Sequence, residues 1–90
     1  MAHFAKIEND TVTNVIVVSN EDCGGGNFPE SEPIGQAFLA LLGLDGLWLQ
    51  TSYHANFRGH YANANYTFDA SLGEYGEFVP PIVEPPIVEP

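Results

Sequence analysis

Bases are nearly missing from this sequence: of its 90 residues only Lys6 and Arg58 carry a positive side chain, against twelve Asp and Glu, for a net charge of −10. Nucleic-acid affinity rests on Lys and Arg neutralising phosphates, and two cations cannot line a groove, so direct DNA or RNA binding is not expected. Attraction to anionic membranes fails for the same reason. Cysteine is almost as scarce. Cys23 alone excludes an internal disulfide and any multi-cysteine zinc site, the usual staples of a very small fold, and leaves oligomerisation as the remaining aid. No run of 18 apolar residues exists, and the start Met1-Ala2-His3-Phe4-Ala5-Lys6 lacks the basic patch and hydrophobic stretch of a secretory signal, so neither a membrane span nor export by that route is expected.

What is present suffices for one small core. Apolar residues make up 44 % of the chain, including Trp48, four Tyr and six Phe, which argues against disorder ahead of position 80. The expected organisation is a single compact α+β domain over 1–79 and an extended arm over 80–90.

His3 to Glu8 and Val12 to Ser19 read as a β-hairpin around Asn9-Asp10-Thr11, with β-branched density at Val12, Val15, Ile16, Val17 and Val18. The continuous apolar run 15–18 predicts a central strand, buried on both faces or touching another chain. Asn20 to Glu30 contains Cys23-Gly24-Gly25-Gly26-Asn27 and reads as a flexible loop. A phosphate loop would need Lys and then Ser or Thr after its last Gly, and Asn27-Phe28 stand there instead.

Ile34, Ala37, Phe38, Leu41 and Leu42 recur at i, i+3, i+4, i+7 and i+8, which predicts a helix over 32–42 with that stripe in the core. Ser31 is the expected N-cap, Pro33 suits the first turn, and Gly43 can supply the left-handed stop. Leu39 and Leu44 widen the stripe beyond one face and are candidate partner contacts. Leu47 to Tyr53 alternates as a strand, and Tyr66 to Asp69 with Glu74 to Val79 forms a second hairpin across Ala70-Ser71-Leu72-Gly73. The polar stretch from Asn56 to Asn65 reads as a surface loop. The fold class is therefore α+β: a small antiparallel sheet built from hairpins, one covering helix, order β-β-α-β-β-β, and a Pro-rich C-terminal arm.

That arm is Pro80 followed by a duplication, Pro81-Ile82-Val83-Glu84-Pro85 and Pro86-Ile87-Val88-Glu89-Pro90. Proline density forbids helix or central strand and favours an extended polyproline-type segment. It reads as a solvated tail or as a strap docking on a neighbouring subunit through Ile82, Val83, Ile87 and Val88.

Few residues suggest chemistry. His54 and His60 flank Arg58, but their spacing constrains no metal geometry, and packed or surface histidines are the plainer reading. Cys23 has no positioned base or cation to activate its thiol. Arg58 sits in the aromatic-rich run 53–61, where stacking on a ring and pairing with a carboxylate is favoured over ligand binding. No catalytic residue, cofactor or metal is expected, and the chain does not read as an enzyme.

The segments Met1-Ala2-His3-Phe4-Ala5-Lys6-Ile7-Glu8-Asn9 with Val12 to Val18, Ile34-Gly35-Gln36-Ala37-Phe38, Trp48-Leu49-Gln50-Thr51-Ser52-Tyr53, Asn56-Phe57-Arg58, Tyr61-Ala62 and Tyr66-Thr67-Phe68-Asp69 resemble small proteins of marine tailed phages, including cyanophages. The resemblance spans nearly all of 1–79. It implies a phage-encoded, virion-associated protein and no catalytic residue. Two departures stand out. Asn63-Ala64-Asn65 replaces that group's Gly-Ile-Gly, and the duplicated arm replaces its Pro-, Tyr- and Trp-containing extension. The expectation is a non-enzymatic structural or accessory protein of a phage particle, found in the virion and in the host cytoplasm during infection, with other virion proteins or a second copy as partner. The alternative is an infection-phase acidic protein that binds and modulates a host protein.

Overall fold

The computed structural model describes residues 1–81. β1 (Ala2–Glu8) and β2 (Thr11–Val18) form the first hairpin, α1 (Ser31–Leu41) follows, then β3 (Leu47–Thr51), β4 (Thr67–Asp69) and β5 (Glu77–Val79). The chain is α+β, with one five-stranded antiparallel sheet in the order β3-β1-β2-β4-β5. Asn9 and Asp10 both hold positive φ (52° and 61°), the left-handed pair that a two-residue hairpin turn requires.

Opposed residues in adjacent strands share a face, so the register divides the sheet cleanly. Ala2, Phe4, Val18 and Trp48 point to one side, where Leu39 of α1 and Cys23 of a short 3₁₀ turn (Glu21–Cys23) close over them. Ala5, Ile7, Val12, Leu49 and Phe78 point to the other, where Ala62 completes a second cluster. A register shift between Lys6 and Ile7 keeps Val12 inward by leaving Thr13 unpaired. β2 occupies the middle of the sheet, as its apolar run predicts, yet β1 is buried more completely, and Val17 is half exposed.

Three expectations need correction. The stretch from Asn56 to Asn65 is no mere surface loop, because Ala62 is fully buried and Arg58 nearly so; it forms the layer that covers the second sheet face. Ser31 does not cap α1. It is the first helical residue, and its hydroxyl donates to Gln50 Oε1 (2.7 Å) instead. The third concerns the helix face.

α1 turns most of its apolar stripe outward, and of the five stripe residues Phe38 alone packs against the first cluster, as expected. Its buried positions are Ser31, Gly35 and Leu39, flanked by the half-buried Glu32, Gln36 and Phe38. Pro33, Ile34, Ala37, Ala40, Leu41 and Leu42 are exposed. The reason is steric and polar together. Gly35 lies directly on Phe4, so that a Cβ there would overlap the Phe4 ring and come within 3.0 Å of Cys23 Sγ. Only a small-residue seam admits that approach. Gln36 and Glu32 are held inward by the edge of β3. The predicted stop at Gly43 is present, with φ 80°.

Candidate functional site

The two ends of the sheet are tied together by one residue. β3 is an edge strand, and its outward backbone groups would otherwise be free to pair with another chain. Side chains occupy them: Gln36 Nε2 donates to Trp48 O (2.6 Å), Gln50 N–H donates to Glu32 Oε2 (2.7 Å), and Arg58 Nη1 donates to Gln50 O (2.8 Å). Arg58 also forms a two-pronged ion pair with Glu32 and donates through Nε to Tyr75 O (3.1 Å). Its guanidinium lies over Phe28 (5.0 Å) and Phe68 (5.5 Å), and Phe28 in turn stacks on Phe57 at 3.9 Å. At the opposite edge, Phe78 N–H donates to Arg58 O (3.0 Å) while Phe78 O lies 3.0 Å from His60 Nδ1, which must carry the proton to donate. Arg58 is thus a structural clasp between β3 and β5, as the aromatic setting of its sequence anticipates. Lys6, the other cation, rests over the Trp48 ring (6.0 Å) at the limit of ion-pair distance from Glu8.

Two surface features remain. The first is the outward face of α1. Leu41 is 84 % exposed, Leu42 57 %, Ile34 46 % and Leu44 41 %, and no polar side chain interrupts the face formed by Pro33, Ile34, Ala37, Ala40 and Leu41. Isolated exposed leucines mean little, whereas a contiguous apolar face on a small domain marks an interaction surface. Acids border it, with Glu30 exposed ahead of the helix and Asp45 beyond Leu44.

The second is an open cleft of about 560 Å³ where the start of β1 and the segment after β3 meet, lined by His3, Gln50, Ser52, Tyr53, His54 and Asn56 among others. Tyr53 packs against Tyr61 (5.4 Å), His54 (5.2 Å) and His3 (5.8 Å), and His3 meets Tyr61 edge-on at 5.6 Å. Burial, reinforced by the positive N-terminus, lowers the His3 pKa below its ordinary value; burial, then the neighbouring Tyr53, raises that of Tyr61.

The residues singled out from the sequence fare differently. Leu44 is on the surface beside the helix face. Leu39, expected as a partner contact, is not available: at 1 % exposure it belongs to the core under Phe4 and Trp48. Ile82, Val83, Ile87 and Val88 lie outside the described residues. Cys23 is buried, and burial, then Asp22, raises its thiol pKa, so it is a poor nucleophile. His54 and His60 are separated in role, one at the cleft and one at the β5 edge. Among the described residues no three His, Cys, Asp or Glu side chains gather as metal ligands. The cleft was not visible in sequence, although the aromatic run 53–61 and His3 supply its most informative rings. Compared with protein-family models, curated proteins and solved structures, the chain matches none of them.

Proposed function

We propose that this protein is a non-enzymatic association module, a structural or accessory component of a phage particle that binds another particle protein through the outward face of α1. The observation that carries this reading is that the helix spends its polar side chains Ser31, Glu32 and Gln36 on its own domain and leaves Ile34, Ala37, Leu41 and Leu42 exposed. A partner that buries those side chains gains about 25 cal/mol for each Å² of apolar surface removed from water, before the costs of association.

Charge selects the kind of partner. The chain carries −10, its cations are engaged within the domain, and Glu30 and Asp45 border the face, so a second copy would meet like charge. A heterologous protein surface with an apolar centre and a basic rim fits better. The phage setting comes from the sequence resemblance, and the acidity suits a saline environment where such charge is screened within about 8 Å or less.

Quantitative mass spectrometry of purified particles and of infected cells tests the proposal. Recovery in stoichiometric copies from washed particles is the expected result. Enrichment in infected cells with none on particles would overturn it in favour of a host-directed protein.

A further inference from the structure

We propose that the cleft beside Tyr53 binds an uncharged saccharide. Its volume, about 560 Å³, lies in the range of small-molecule sites. Its lining contains no Asp, Glu, Lys or Arg, although the chain carries twelve acids. An anionic ligand would find no cationic side chain there, only the amino group of the exposed Met1 at the rim, and would be repelled by the net charge of −10. A cationic ligand would find no carboxylate to pair with. A neutral ligand meets neither penalty.

The shape and the polar groups define its chemistry further. Tyr53 is 64 % exposed although its ring is braced by His3 (5.8 Å, tilted 30°) and edge-on by Tyr61 and His54, so the exposed part of the ring is a firm aromatic surface for the C–H face of a pyranose ring. An amphipathic ring of this kind supplies contact area at low entropy cost. Around it stand groups with unused hydrogen-bonding capacity. Gln50 Oε1 is taken by Ser31, while its amide nitrogen has no partner among the described residues; the same holds for the side chains of His54 and Asn56 and for the Tyr53 hydroxyl. Ser52 Oγ accepts the Asn56 N–H at 3.0 Å and keeps its own proton to give. Two amides, two hydroxyls and an imidazole offer donors and acceptors together, which is what a polyol requires and what a purely apolar peptide side chain would leave unsatisfied.

The site lies apart from the outward face of α1, so the two can be tested separately. Saturation-transfer NMR and titration calorimetry of the full chain would use three neutral probes, cellotetraose, mannotriose and triacetylchitotriose, with sialyllactose as an anionic control. At least one neutral probe should bind, with transfer from the Tyr53 ring. Tyr53→Ala and Asn56→Ala should each weaken it by at least about tenfold at unchanged melting temperature, while Leu41→Asp leaves it unaltered. Should Tyr53→Ala lower the melting temperature, Asn56→Ala decides alone. Absence of binding by all three probes at about millimolar concentration, preference for sialyllactose, or full retention of binding in the Asn56 variant would overturn the proposal.

Discussion

Gly35 is the point at which helix and sheet come closest, and its missing side chain is what lets Phe4 be fully buried. Helix propensity alone would make Gly35→Ala stabilising by roughly 0.5–1 kcal/mol. Overlap with the Phe4 ring works the other way at about 1–3 kcal/mol, so the variant should lose about 0.5–2 kcal/mol net in chemical denaturation. A raised denaturation midpoint would contradict the packing described. Arg58 makes the complementary case for polar groups. Its side chain is 6 % exposed and that of Glu32 16 %. Arg58→Ala leaves Gln50 O and Tyr75 O without their donor and the Glu32 carboxylate with the Gln50 N–H but no cation, and should destabilise by about 3 kcal/mol. Arg58→Lys should recover little of this, because an ammonium cannot present two parallel donors to Glu32 while also reaching both carbonyls. His3 adds a pH dependence. Its folded pKa is depressed below the ordinary 6.5, so the unfolded chain binds more protons between the two values, and stability contributed by neutral His3 is lost as pH falls through that window. Thermal melts between about pH 5 and pH 7.5 should show a slope that His3→Gln reduces; an unchanged slope would place His3 in solvent.

At the scale of the element, α1 inverts the usual amphipathic arrangement. Leu39→Ala should cost about 2–5 kcal/mol, whereas Leu41→Ala, two positions away on the exposed face, should leave stability within about 0.5 kcal/mol. Equal losses at both positions would mean that the helix is rotated away from the Gly35–Phe4 seam. The sequence made the helix legible through its periodicity and through Gly43, and the first hairpin through its β-branched run and Asn9-Asp10; the second hairpin is present, but its connection runs from Ala70 to Gly76, so that Glu74 and Tyr75, expected in the strand, lie in the turn and β5 begins at Glu77. The orientation was not legible. A hydrophobic stripe weights Ile34, Leu41 and Leu42, and it takes no account of a seam in which Ser31 and Gly35 are buried because they are small. The layer over the second sheet face is hidden in the sequence for a related reason: the polar residues of 56–65 conceal Ala62 and the guanidinium of Arg58, whose burial depends on partners 26 residues away in Glu32 and on Gln50. Cleft residues were equally scattered, since His3 and Tyr53 meet only through the β1–β3 pairing that sets His3 opposite Thr51.

For the whole molecule, the distribution of bonding capacity decides what is left for partners. Both sheet edges are occupied by side chains or by the loop around Arg58, so edge-to-edge strand addition is blocked at Trp48, Gln50 and Phe78. On the proposed function, association falls to the outward face of α1, apolar at its centre and flanked by Glu30 and Asp45. The most direct measurement is the copy number of Leu41→Asp, Ile34→Asp protein on purified particles, set against the unsubstituted protein produced in the same infection. Leu41 is 84 % exposed and Ile34 46 %, its Cδ1 lying over Gly24, so the doubly substituted domain should still melt cooperatively, somewhat below the parent, and yet be recovered on particles at a small fraction of the parental level, because two buried carboxylates have no partner in an apolar interface. Parental copy number in that variant would contradict the assignment of the helix face as the surface by which this protein assembles.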